Sequence, residues 1–147
     1  MEKKKGLQVK IHMSTTINDR GKIEKNTFSA IGQVFHKGTS TYIMFDEPSQ
    51  TDQVTKQTVR IQEDRFTVIR NGAISMNQQF IEGKETEGTF RAPYGVFAMR
   101  TKTKQLSFQW DEQRGEGVAK LRYTLQLQNE HAGEYDLKLT LKEVKNR

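Results

Sequence analysis

The 147-residue chain has no cysteine, two prolines and one tryptophan. The missing cysteine excludes a disulfide framework, a thiolate metal site and a cysteine nucleophile together. Pro48 and Pro93 are too few for a proline-rich linker, and neither a fixed-period repeat nor a low-complexity tract interrupts the chain. Long apolar runs are also missing. From Met1-Glu2-Lys3-Lys4-Lys5 the sequence passes straight into alternating apolar and polar residues, so nothing reads as a signal segment or a bilayer span. A cytoplasmic protein without a membrane partner is expected, with the lysines at positions 3 to 5 and the Lys145-Asn146-Arg147 tail as solvated ends. No Gly-x-Ser-x-Gly elbow, phosphate-binding glycine loop or dinucleotide fingerprint occurs, so no enzyme class and no cofactor is indicated.

What is present suffices for one folded domain over residues 1–147. Mean hydropathy is -0.82 and 33% of residues are hydrophobic, but these are spread along the whole chain, which argues against wholesale disorder. Lys and Arg number 24 against 18 Asp and Glu, a net charge of +6 that favours salt-sensitive contact with polyanions.

The grammar is that of strands. Threonine occurs 15 times and alanine 6 times. Leu7, Val9, Ile11 and Met13 alternate with Gln8, Lys10 and His12, the period-two pattern of a strand with one buried face. Leu121, Tyr123, Leu125 and Leu127 repeat it, as do Tyr135, Leu137, Leu139 and Leu141. The polar stretch 129–134 between the last two sets predicts a hairpin loop, and Asn18-Asp19-Arg20-Gly21 predicts an earlier turn. Further strands are expected over 40–47, 54–62, 66–70, 74–81, 87–92, 96–101 and 106–110. Connections this short forbid parallel crossovers. The fold class is therefore all-β, an antiparallel up-and-down meander of about eight to ten strands closed into a barrel, which removes exposed edges.

Four segments together, Tyr42-Ile43-Met44-Phe45-Asp46-Glu47, Val68-Ile69-Arg70-Asn71-Gly72, Phe90-Arg91-Ala92-Pro93-Tyr94-Gly95 and Leu121-Arg122-Tyr123, resemble in order and spacing the YwiB-like family of small bacterial proteins. The resemblance spans nearly the whole chain. It implies a calycin-like, lipocalin-type β-barrel and carries no established biochemical activity. The Gly-x-Trp signature that lipocalins usually carry near the first strand is missing, since the sole tryptophan is Trp110.

Polar residues in phase with inward apolar positions are the ones that would orient a ligand in such a barrel. Arg70 shares its parity with Phe66 and Val68, so an inward Phe66 carries the guanidinium to a barrel mouth, where it would bind a carboxylate or phosphate bidentately. The plainer reading is a side chain snorkelling to solvent at a strand end. Tyr42, Tyr94 and Tyr123 are expected to place hydroxyls round the same cavity, or else to serve as ordinary core rings. The pairs Asp46-Glu47 and Asp111-Glu112 read as solvated strand ends, because neighbouring strand residues face opposite sides. His12, His36 and His131 lack metal-ligand spacing. No catalytic residue and no metal ligand is indicated.

Two functions follow, beside a third, enzymatic reading in which Arg70, Tyr94 and Tyr123 would be the first residues to test, since a barrel interior can assemble a site without a local motif. The first is a non-catalytic binding protein holding a small apolar or amphipathic molecule in the barrel, with Arg70 anchoring any acidic group. The second is a basic barrel that contacts RNA or an acidic protein, with Arg100-Thr101-Lys102-Thr103-Lys104 as its best local support. That run also reads as a polar connection between strands. The oligomeric state leaves no mark in the sequence.

Overall fold

A computed structural model describes residues 6–145. The lysines at positions 3 to 5 and the Asn146-Arg147 end lie outside the described residues. Ten strands follow one another in the chain: β1 (Leu7–Asp19), β2 (Lys22–Lys37), β3 (Ser40–Asp46), β4 (Thr55–Ile61), β5 (Arg65–Gly72), β6 (Ser75–Ile81), β7 (Glu85–Ala92), β8 (Gly95–Asp111), β9 (Glu116–Leu127) and β10 (Glu130–Glu143). Each pairs antiparallel with its sequence neighbours, and β1 pairs with β10, so the expected up-and-down meander is a closed barrel.

Alternation decides what enters the lumen. On β1 the inward set is Val9, Ile11 and Met13; on β9 it is Ala119, Leu121, Tyr123 and Leu125; on β10, Leu139 and Leu141. The intervening positions Lys10, His12, Lys120, Arg122 and Lys138 face water. Closure requires strands to approach tightly in places, and a Cβ on Gly32 of β2 would run into the Met44 carbonyl of β3.

The turns are as terse as the polar punctuation suggests. Arg20 and Gly21 join β1 to β2 with φ of 55° and 92°, and the Asn18 side chain accepts the Gly21 N–H at 2.8 Å. The β9–β10 connection is shorter than the expected six-residue loop. Gln128 and Asn129 alone make the turn, both at positive φ as a two-residue hairpin of matching twist requires. Residues 130–134 already belong to β10, and a bulge between His131 and Gly133 absorbs the irregularity.

One expectation is corrected. The segments 96–101 and 106–110 are not two strands with a polar connection but the single strand β8, whose register against β9 shifts between Thr103 and Gln105. The inserted residue reverses the inward parity, so Met99, Thr101 and Thr103 point in before the bulge and Leu106, Phe108 and Trp110 after it. A bulge interrupts alternation without interrupting the strand, which is how one strand came to resemble two.

Candidate functional site

The barrel has two unlike ends. One is bounded by the β2–β3, β4–β5, β6–β7 and β8–β9 turns, and there the inward Val34, Ile61 and Leu141 are at most 5% exposed. The other is bounded by the β1–β2, β3–β4, β5–β6, β7–β8 and β9–β10 turns, and there the lumen opens into a cavity of about 540 Å³. Phe66, Phe80, Leu121 and Leu139 line its deeper part, and Met13, Phe28, Val68, Met76 and Leu137 line its walls. Such a volume and apolar lining suit a small-molecule site.

Arg70 stands in the mouth, turned inward in phase with Phe66 and Val68 as expected. It neither snorkels to solvent nor waits as a free cation. Its Nε and Nη2 donate to Glu47 Oε2 and Oε1 at 2.6 and 2.8 Å, the bidentate geometry of a strong charge-assisted pair. Gln57 Nε2 donates to the same Glu47 Oε2 at 2.8 Å. Burial alone would raise the Glu47 carboxyl, but the hydrogen bonds from Arg70 and Gln57 and the Arg70 charge together hold it below its ordinary value. The two charged side chains are 23% and 16% exposed, shielded enough for the pairing to matter and open enough to meet a ligand.

Three adjacent strands build this network. β5 brings Arg70, β4 brings Gln57 directly opposite it, and the chain leaving β3 brings Glu47, whose N–H donates to the Thr55 carbonyl at 2.9 Å. Glu47 and Gln57 were missed by the sequence reading, which placed Glu47 at a solvated strand end. Parity carried the signal: Glu47 is in phase with inward Ile43 and Phe45, and Gln57 with inward Val59 and Ile61. Asp46 does face water.

The tyrosines divide. Tyr123 lies inside, 6% exposed, with its ring 4.8 Å from Phe80 and stacked at 5.0 Å on Tyr135. Burial, with a smaller contribution from Tyr135, raises its hydroxyl, which therefore remains a neutral donor and acceptor at physiological pH. Tyr94 sits in the β7–β8 turn, 77% exposed at the rim of the cavity, 5.7 Å from Phe97. Tyr42 is not at the cavity, a correction to its expected place. Its strand neighbours Thr41 and Ile43 take the inward positions, so Tyr42 projects outside, stacked on Phe35 at 5.1 Å with the Arg60 guanidinium 5.5 Å above it.

The run Arg100-Thr101-Lys102-Thr103-Lys104 is wall rather than groove. Thr101 and Thr103 are each 1% exposed, and Gln78 Nε2 donates to Thr101 Oγ1 at 2.9 Å. Arg100 pairs with Glu85 and Glu87, and Lys104 with Glu134, so two of its three cations already have carboxylate partners. His12 and His36 hydrogen-bond Ser29 and Thr41, and among the described residues no three His, Asp or Glu side chains form a metal-holding group. No helix among them is long and apolar enough to cross a membrane.

Comparison with known proteins agrees with this architecture. The chain is 29% identical over 107 residues to the uncharacterized beta-barrel protein YwiB of Bacillus subtilis (strain 168), covering 73% of this chain and 75% of that one. The crystal structure of the ywiB protein from Bacillus subtilis matches with a TM-score of 0.83 at 24% identity, over 95% of this chain and 93% of the other. A family model described as a domain of unknown function matches residues 11–139, and the chain accordingly belongs to the DUF1934 family of β-barrel proteins.

Proposed function

We propose that this protein is a non-catalytic, cytoplasmic binding protein whose calycin-like barrel takes a small apolar or amphipathic molecule into its mouth. The observation that carries this reading is the division of the cavity: about 540 Å³ with an apolar interior, and ionic and amide groups gathered where Arg70, Glu47 and Gln57 meet at the opening. A chain or ring system would occupy the space beside Val68, Met76 and Leu137, with Tyr123 beside it and Tyr94 at the rim. Charged outward positions such as Lys10, Lys56, Arg60 and Lys138 favour a barrel bathed in water over one with a lipid-facing apolar band.

The test is a thermal-shift series with apolar and amphipathic compounds, paired with native mass spectrometry of the purified protein. A ligand present at about a hundredfold over its Kd stabilises by about 2.7 kcal/mol, a rise in Tm of roughly 5–10 °C for a chain of this size. Val68→Phe, which projects a ring into the cavity, should reduce the shift for ligands that occupy the space beside Met76 and Leu137. No retained molecule and no shift across the series would overturn the proposal.

A further inference from the structure

The mouth network has hydrogen-bonding capacity left over, and its composition points to a kind of head group. A guanidinium carries five N–H donors, and Arg70 spends two of them on Glu47. Gln57 commits Nε2 to Glu47, which leaves its carbonyl oxygen as an acceptor. Both residues line the cavity. The opening therefore offers donors and an acceptor side by side, while the Arg70 cation and the Glu47 anion cancel.

We infer that this cavity selects amphiphiles with an uncharged head that both donates and accepts hydrogen bonds, a hydroxyl or a primary amide, over carboxylates; the inference rests on the ligand-binding reading above. A carboxylate is acceptor-only. It would find the Arg70 donors, but beside a second carboxylate and with the guanidinium charge already compensated, in a partly buried setting where like charges repel more than in water. Displacing Glu47 would cost its three hydrogen bonds, and its backbone is held by the bond to Thr55. An ammonium head supplies only donors and adds charge beside Arg70. A hydroxyl or amide instead accepts from Arg70 and donates to Gln57 without adding charge. Glu47 thus determines specificity through Arg70, and replacing it with a neutral isostere would turn the same guanidinium into an acid receptor.

Competition for lumen-bound Nile red by decanol, decanamide and decanoate at neutral pH separates the outcomes. In the unaltered protein the two neutral heads should displace the dye at about tenfold lower concentration than decanoate, a difference of one decade in Kd. In Glu47→Gln, decanoate should gain about tenfold while decanol stays within about threefold of its original value. Gln57→Leu, which leaves the ion pair in place, should weaken decanamide several-fold relative to decanoate, each measured against the variant's own Nile red affinity; it carries the head-group test should Glu47→Gln lose its cooperative melt. Preference for decanoate in the unaltered protein, or equal displacement by all three, overturns the head-group inference while the binding reading stands. Failure of every compound to displace the dye, or of the dye to bind, overturns the binding reading and the inference with it.

Discussion

Towards the β8–β9 turn, the inward positions of the barrel hold Val34, Ile61, Phe108 and Leu141, which pack into the apolar core. Towards the β7–β8 turn, the corresponding positions hold Thr15, Asn26, Gln57, Met76 and Arg70 around open space. Both ends obey the same alternation on the same strands. Their contents differ because branched and aromatic side chains interlock across a narrow barrel, whereas polar side chains must retain hydrogen-bond partners and so keep to an opening where partners and water are within reach. Pleating chooses the direction of a side chain; its volume and polarity choose whether space remains.

The sharpest way to break this comparison uses one strand and one chemistry. Leu141 and Leu137 point inward from β10, but Leu141 is 2% exposed in the packed half and Leu137 lines the cavity. Leu141→Ala should cost about 3–4 kcal/mol in urea denaturation, because it leaves a void in close-packed surroundings. Leu137→Ala, which only enlarges an existing space, should cost about 1 kcal/mol. Equal losses would mean that the mouth is packed as tightly as the closed end.

Acid titration probes the polar side of the same contrast. The folded-state pKa of Glu47 lies below its unfolded value near 4.5. The folded protein therefore releases that proton more readily, and the resulting stabilisation is complete above the unfolded value and fades as pH falls through the lower, folded one. Glu47→Gln should accordingly lower Tm at neutral pH, by an amount equivalent to about 1–2 kcal/mol for a partly exposed pair. The gap between variant and parent should narrow steadily as pH drops below the ordinary glutamate range. A gap independent of pH would show that the pair adds nothing through its charge.

The smallest expected effect lies within the wall. Among the described residues, Thr103 Oγ1 is the buried side-chain polar atom without a hydrogen-bond partner. Thr103→Val keeps the shape and removes that hydroxyl, so it should leave stability unchanged or raise it by up to about 1 kcal/mol in the same denaturation assay. A clear loss would identify the hydroxyl as a working member of the polar interior next to Gln78 and Thr101.

Much of the architecture was legible along the chain. Alternation in β1, β9 and β10, together with short polar connections, was enough to specify antiparallel neighbours and closure, and it pointed Arg70 inward through its phase with Phe66 and Val68. Phase failed at β8, where one extra residue reversed the inward set. Tyr42 lies outside because its β3 neighbours Thr41 and Ile43 take the inward positions, so strand phase itself excludes it from the lumen. Glu47 shows the remaining gap: its side is implied by Phe45, but its partners come from positions 10 and 23 residues further along the chain.

Local order along the polypeptide thus determined the strands, their facing and their antiparallel sequence, because pleating repeats every two residues and needs only near neighbours to be read. Three-dimensional closure alone decided that one end is plugged and the other hollow, and that Arg70 meets a carboxylate before it meets any ligand. Those outcomes depend on which side chains from distant strands share one layer of the lumen, a matter of register and summed volume that no single segment contains.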